Sequence, residues 1–381
     1  MKVSIIIPTH NRANSLKKTI ESIVEIRNEA DIELIVVDNN STDNTKNIIE
    51  SYSDIAHYVF EENTSFTKAR ETGAKNSKGD ILLYLDDDVI VHPGSLKEIT
   101  SIFGNYLDCG VIAGKILPQY EESPPDWALA CQRSFNGWSL YNSEEMPHLG
   151  IGFQEVTWAA GPMMAIRKDA YIKVGGFPPD TIGVETNNQT RTFRKLYIGP
   201  GDVGLCEKIR NFGYKVYYSP NISCCHIISK IRFTVPFWRS RVIGEAQYNA
   251  ITNREFRKLS KWKLWKEHIK SKHMYNGWKK RLITRLKANE AFMLQTNFSG
   301  MLFEELWLQY YRSYIEMDKI LNKYPDLSEL LWDIGLNGVS DSEFEEVITK
   351  FPSDYIKLIE SEKMHSEEPI ISIDALNSFG F

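Results

Sequence analysis

The sequence predicts an α/β protein built on a mostly parallel sheet, with a helical extension towards its carboxyl terminus. Three observations carry that expectation. Short β-branched runs alternate with helix-length connections through the first half of the chain. These runs are apolar throughout rather than at every second residue, as in strands covered on both faces. Beyond about Ile231 such runs stop, and apolar residues recur at intervals of three and four.

Val3 to Ile7 is the first strand, ended by Pro8, and a helix follows from Ser15 to Ile26 on the spacing of Leu16, Ile20, Ile23 and Ile26. Glu33 to Asp38 is a second strand. Asp43 to Tyr52 is a second helix, capped by Asp43 or a neighbouring Ser or Thr. Val59 and Phe60 mark a short strand, Thr67 to Asn76 a third helix, and Ile81 to Asp88 a strand running straight into three carboxylates. Gln119 to Pro147, with Pro124 and Pro125, reads as a long irregular loop. Glu155 to Arg167 reads as a strand pair, Lys168 to Val174 and Asp202 to Asn211 as helices, and Lys215 to Pro220 as a strand. One helical stripe then runs through Phe256, Leu259, Trp262, Trp265 and Ile269, and a second from Phe303 to Leu321. Short helices broken at Pro325, Gly335 and Pro352 complete the chain.

The 381 residues, 42% hydrophobic and 25% charged, describe a folded globular chain and exclude a disordered or collagenous one. Five cysteines without zinc-ligand spacing fit reduced thiols in the cytoplasm. The apolar run before Pro8 is too short for a signal peptide, and no run approaches the roughly 18 apolar residues of a membrane span. The net charge of -5 is the sum of unlike parts. Ser229 to Lys287 holds 17 Lys and Arg against three Glu, whereas Ala288 to Phe381 holds 18 acidic residues against six basic. The chain therefore divides into residues 1–230, a basic Trp-rich helical segment 231–290 and an acidic helical region 291–381. Two readings of segment 231–290 stand. It has the composition of an interfacial helix that meets anionic lipid, which would place the protein peripherally on the inner face of a membrane. It would equally pack on the acidic region through opposite charge. No nucleic-acid-binding motif accompanies it, so nucleic acid is not an expected partner. The sequence does not indicate an oligomeric state.

Chemistry collects where strands end. In open α/β sheets, ligands bind beyond the carboxyl ends of the strands. Here those ends carry Pro8-Thr9-His10-Asn11-Arg12, Asp38-Asn39-Asn40 and Asp86-Asp87-Asp88. Three adjacent aspartates repel one another unless a cation offsets their charge. Such a cluster suits Mn2+ or Mg2+ bridging phosphate oxygens. Asp202 has the position of a helix N-cap, a role compatible with acting as a base.

VSIIIPTHNRANSLKKTIESI, ELIVVDNNSTDNT, KARETGAKNSKGDILLYLDDDV, AAGPMMAIRKDAYIKVGGF and GPGDVGLCEKIRNFGYKVYYSP, followed by His226, resemble in order and spacing the family 2 glycosyltransferases of the GT-A fold. The resemblance covers roughly the first 245 residues and implies a Rossmann-like GT-A catalytic domain over residues 1–230. It implies a metal-dependent inverting hexosyl- or N-acetylhexosaminyl-transferase of surface polysaccharide or glycoconjugate assembly. The donor would be a nucleotide sugar, with UDP favoured by family prevalence, and the acceptor a saccharide or lipid-linked glycan. Pro8, Thr9, Asn11 and Arg12 would line the nucleotide pocket, Asp38 would meet the base, and Arg70 would approach the nucleotide or its diphosphate. Asp86 to Asp88 would be a DxD element, with Asp86 or Asp87 nearer the ribose, and Asp88 and His226 would hold the metal. Asp202, in Gly199-Pro200-Gly201-Asp202, aligns with the general base, although the preceding glutamate of the usual motif is Gly201 here. Arg70 is likewise followed by Glu71 and Thr72 before Gly73, where the family usually has an ARN-x-G pattern. Trp158, Gly161 and Met163 fall in the segment that supports the acceptor or donor sugar. Trp127, Trp138 and Tyr141 are further aromatic candidates for stacking on sugar. Arg239 or Arg241 would reach the diphosphate, and the segment Gln119 to Pro147 would select the acceptor. The alternative is a subunit that keeps the fold and binds nucleotide sugar or carbohydrate without catalysis.

Overall fold

The computed structural model describes residues 1–179, 201–289, 298–337, 343–358 and 361. Gly199 and Pro200 of the base-bearing motif lie outside the described residues. The chain opens β1 (Val3–Thr9), α1 (Ala13–Ile26), β2 (Ile32–Asp38), α2 (Thr45–Glu50), β3 (Ala56–Phe60), α3 (Phe66–Asn76) and β4 (Ile81–Leu85). It continues through β5 (Val89–Val91), α4 (Ser95–Asn105), β6 (Cys109–Tyr120), α5 (Asp126–Phe135), β7 (Gln154–Val156), β8 (Met163–Arg167) and α6 (Lys168–Lys173). After α7 (Gly201–Asn211) and β9 (Lys215–Ile228) the described elements are helical: α8 (Val235–Glu255), α9 (Lys261–Asn289), α10 (Phe298–Lys323), α11 (Asp326–Asn337) and α12 (Phe344–Thr349).

The strands form one sheet in the order β3-β2-β1-β4-β8-β6-β9-β5, with β7 added on β9. Strands β1 to β4 are mutually parallel, and β6 and β9 share their direction. The expectation of an α/β sheet with a helical extension holds, but the sheet is mixed: β5, β7 and β8 run the other way. The expected strand pair at Glu155 to Arg167 does not form. β7 joins β9, while β8 inserts between β4 and β6.

Every residue of β1 and of β4 is buried, which is why both read as unbroken apolar runs. Helix α1 buries Leu16, Ile20, Ile23 and Ile26, the stripe its spacing predicts. Helix α3 approaches β1 closely at Gly73, where an added methyl would collide with Ile6. Pro8 has no N–H to give, and the β1–β4 ladder stops two residues earlier at Ile6. The two strands part there, opening the carboxyl edge. Strand β9 passes Pro220 through a register shift opposite Gly114 and Lys115 and continues to Ile228, so the proline bulges the strand rather than ending it. The Gln119–Pro147 stretch is not one loop, because β6 extends to Tyr120 and α5 occupies Asp126–Phe135.

At the opposite edge, Glu33 accepts hydrogen bonds from Ser4 Oγ, Lys78 N and Gly79 N, closing the turn into β4. Burial works against the charged form, but these bonds outweigh it and lower the carboxyl pKa. A lowered acid contributes stability above its unfolded pKa and loses it as pH falls through the folded value. Glu33→Gln is expected to destabilise the protein by roughly 1 kcal/mol at neutral pH. Denaturant titration should show the gap closing as the pH drops below the ordinary glutamate range.

The first carboxyl-terminal stripe crosses a helix break. Helix α8 ends at Glu255, and Lys258 adopts a left-handed φ of 47° before α9 begins. Phe256 stacks on Trp332, whereas Trp262 lies in the next helix. The second stripe holds: Leu306, Tyr314, Met317 and Leu321 of α10 are buried. Helix α11 runs through Gly335 without breaking. Among the described residues no helix is long and apolar enough to cross a membrane.

Candidate active site

The turn Asp86–Asp88 leaves β4 at the carboxyl edge, and β5 then pairs antiparallel with β9 so that Val89 faces His226. That register sets His226 beside Asp88, with Nε2 3.1 Å from Oδ1. Asp86, Asp88 and His226 each offer one ligand atom within 4.8 Å of the others. The imidazole Nδ1 lies 2.8 Å from the carbonyl oxygen of Trp138, an acceptor only, so Nδ1 carries the proton and donates. Nε2 is thereby directed at the Asp88 carboxylate, on the side where a divalent cation would be shared between the two residues. A ring nitrogen fixed through a backbone carbonyl on its other side is also the usual support of a metal-binding histidine. Two carboxylates and an imidazole thus fit a divalent ion of the manganese or magnesium kind.

Two arginines border this cluster. Arg12 donates to Asp88 Oδ2 at 2.6 Å and lies 3.4 Å from Asp87. Arg232, between β9 and α8, lies 3.3 Å from both Asp88 Oδ2 and His226 Nε2. Thr9 Oγ1 donates to Asp87 Oδ2 at 2.7 Å. Burial pushes Asp86 and Asp87 upward; repulsion from Asp88 adds to it for Asp86, and Arg12 opposes it for Asp87, which rises to about 6. Burial would raise Asp88 as well, but His226, Arg232 and Arg12 outweigh it and hold that carboxyl well below the ordinary range. Arg12 is held firmly charged, above all by Asp87.

Asp202 stands in the first turn of α7 and meets the cluster through Arg70. Arg70 Nη1 donates to Asp202 Oδ1 at 2.9 Å, and its Nη2 lies 3.9 Å from Asp86 Oδ1. The guanidinium sits over the rings of Phe66 and Phe177, 4.1 and 4.7 Å from their centroids. Gly161 closes this corner: a Cβ there would lie 2.6 Å from Asp202 Oδ2 and 2.8 Å from Arg70 Nη2. The absent side chain is what lets the buried Gly161 backbone pack this close to the Asp202 carboxylate and the Arg70 guanidinium.

Thr9, Arg12, Arg70, Asp86, Asp87, Asp88, Asp202, His226 and Gly161 are therefore neighbours. Others have different surroundings. Asp38 is buried and accepts from Ser41 N at 2.9 Å and from Tyr58 Oη at 3.1 Å. Asn11 spends its Oδ1 on Thr42 N at 2.7 Å and on Asp43 N at 3.2 Å, lacing the first loop to the second from a left-handed φ of 54°. Pro8 is buried within β1. Trp158 is half-buried and meets Tyr141 edge to face, while its carbonyl accepts from Tyr141 Oη at 2.7 Å.

Several expectations need correction. Met163, Trp138 and Tyr141 are packed in the core rather than presented to a ligand, because aromatic and thioether side chains contribute most when buried. Arg239 cannot serve a diphosphate, since it is buried in a two-pronged pair with Glu305 at 2.8 and 3.0 Å. Arg232, which the sequence reading did not single out, stands beside Asp88 and His226 instead. The one signal in the sequence was its spacing, six residues beyond His226 on the same outgoing segment.

The Glycosyl transferase family 2 model matches residues 4–175. The chain is 25% identical over 230 residues to a glycosyltransferase of Haloferax volcanii, AglE, covering 59% of this chain and 66% of that one. It is 32% identical over 119 residues to the poly(ribitol-phosphate) beta-N-acetylglucosaminyltransferase TarP of Staphylococcus aureus, covering 30% and 36%. The matches thus span less than two thirds of either relative's own length. Among solved structures, the mannosyltransferase PcManGT of Pyrobaculum calidifontis, in complex with GDP-Man and Mn2+, superposes with a TM-score of 0.45 at 16% identity, covering 96% of this chain and 85% of that one. Strand ends and carboxylate cluster lie in or beside residues 4–175, the part of the chain that matches the Glycosyl transferase family 2 model.

Proposed function

We infer that the chain is an inverting, metal-dependent glycosyltransferase that moves a sugar from a nucleotide-diphosphate sugar, with UDP favoured, to a hydroxyl of a saccharide or lipid-linked glycan. The observation that carries this reading is the convergence of Asp86, Asp88 and His226 with Asp202 through the single bridging side chain of Arg70. Five unpaired cysteines suit a reducing cytoplasmic setting for it.

The transfer breaks the bond between the anomeric carbon and the diphosphate oxygen and forms one from that carbon to the acceptor oxygen. Asp202 is the general base and takes the acceptor proton. Arg70 anchors Oδ1, and Oδ2 lies against Gly161, so the carboxylate is held in one orientation. A divalent ion on Asp86, Asp88 and His226 would neutralise charge developing on the diphosphate. Arg12 and Arg232 face Asp88 from the loop after β1 and the segment after β9, and phosphate oxygens are equally good partners for their forked donors. Thr9 holds Asp87 in place towards the ribose. Attack from the Asp202 side, opposite the leaving group, inverts the configuration.

Release of nucleoside diphosphate from a panel of nucleotide sugars, followed with Mn2+ and with chelator, tests the reading, and NMR of the product gives the anomeric configuration. Metal-dependent turnover with inversion is expected. No release from any donor would remove the catalytic assignment, and retention would remove the single-displacement mechanism. Gly161→Ala is expected to cost about a hundredfold in turnover, because the new methyl displaces Asp202 or Arg70. Its thermal midpoint should stay near that of the parent. An active Gly161→Ala enzyme would show that turnover does not depend on the placement of Asp202 and Arg70 at this corner.

A further inference from the structure

The basic carboxyl-terminal segment is not of one kind. In α8 the arginines turn inward onto acidic α10: Arg239 pairs with Glu305, and Arg254 lies 2.6 Å from Asp318. His268 of α9 shares that aspartate, also at 2.6 Å. The lysines of α9 do otherwise. Lys261, Lys263, Lys266, Lys270 and Lys272 are exposed, and Glu267 is the one acidic residue in the whole helix.

Helix α9 has two opposed faces. Ser271, Tyr275 and Leu282 are buried, and α10 packs along this helix. Trp262, Trp265 and Ile269 are 60%, 58% and 46% exposed. At about 100° per residue these three fall within one arc of roughly 60°, opposite the buried set. The ammonium of Lys266 sits 3.6 Å over the ring of Trp262. A globular surface has no reason of its own to group two indoles and an isoleucine on a single ridge.

We propose that this face of α9 is an interfacial helix that docks the protein on an anionic bilayer. Indole rings combine an apolar body with a polar N–H and settle at the headgroup level, where Ile269 also leaves water. Lysine stems lie along the apolar surface while their ammonium groups meet lipid phosphate. A nucleic acid would satisfy the lysines but leave Ile269 and the indoles facing water. The helix lies on the membrane rather than through it, since no described helix can span one.

The test is co-sedimentation of the full chain with vesicles of phosphatidylglycerol and phosphatidylcholine in equal parts, against vesicles of phosphatidylcholine alone. Binding to the first and not the second is expected. Trp262→Ala with Trp265→Ala should lower partitioning roughly tenfold or more. Lys266→Gln with Lys270→Gln should lower it roughly fivefold for each lysine. Circular dichroism and nucleotide-sugar hydrolysis in solution should match the parent in both variants, because neither pair touches the carboxylate cluster. Failure to bind the anionic vesicles, or binding that ignores the Trp substitutions, overturns the proposal. So does binding to duplex DNA that depends on the lysines alone, or self-association abolished by the Trp pair, which would assign the face to nucleic acid or to a second copy.

Discussion

Asp88→Ala is expected to abolish metal-dependent turnover, with a loss of roughly a thousandfold or more in kcat. The effect should extend to the resting protein. Asp88 is buried and faces Arg12 at 2.6 Å, His226 at 3.1 Å and Arg232 at 3.3 Å. Removing the one anion that these groups share leaves positive charge crowded in a desolvated site, which costs about 3 kcal/mol. Asp88→Asn separates the two consequences, because it keeps the shape and loses only the charge. Thermal melts with chelator and with Mn2+ provide the second readout. The parent should gain stability on adding metal, and both variants should lose that gain. A variant that keeps both its turnover and its metal response would place the ion elsewhere.

Asp202→Asn is expected to lower kcat by about a thousandfold, within the range for loss of a general base, while KM for the donor changes little. The amide oxygen can still accept from Arg70, so the corner should keep its shape, and a melt should find the fold intact. Steady-state kinetics on donor and acceptor separately make the distinction. A KM effect without a kcat effect would make Asp202 a binding group, and activity within tenfold of the parent would remove it as the base.

The half of the site that was legible in the sequence rests on strands whose pattern is strong. β1, β2 and β4 are buried on both faces, so their apolar runs are unbroken and the polar residues at their ends stand out. The less legible half depends on register. His226 reaches Asp88 because β9 continues past Pro220 and pairs with β5, a three-residue strand with no pattern of its own. Arg12 and Arg232 declare a positive charge in the sequence, but their meeting at Asp88 is a matter of tertiary geometry. Aromatic residues misled for a physical reason. Trp138 and Tyr141 carry the composition of a sugar platform, yet burying an aromatic ring in a core is the commoner use of its area. At the junction of α8 and α9 no glycine or proline announces the break, and Lys258 takes the left-handed conformation itself. The stripe drawn from Phe256 to Ile269 therefore joined two helices that present different faces.

The reversed direction of β8 has an architectural consequence. Because it runs against β4, its first residue, Met163, lies beside Leu85 at the last turn of that strand. Strand β6 runs the other way and leaves the sheet at the same edge, at Tyr120. The forty or so residues between these points thus start and finish next to the carboxylates, and most of the sheet is assembled without them. They are no detachable insert, because the Trp138 carbonyl holds His226 and Gly161 abuts Asp202 and Arg70, so a change of this stretch is felt at the carboxylate cluster itself.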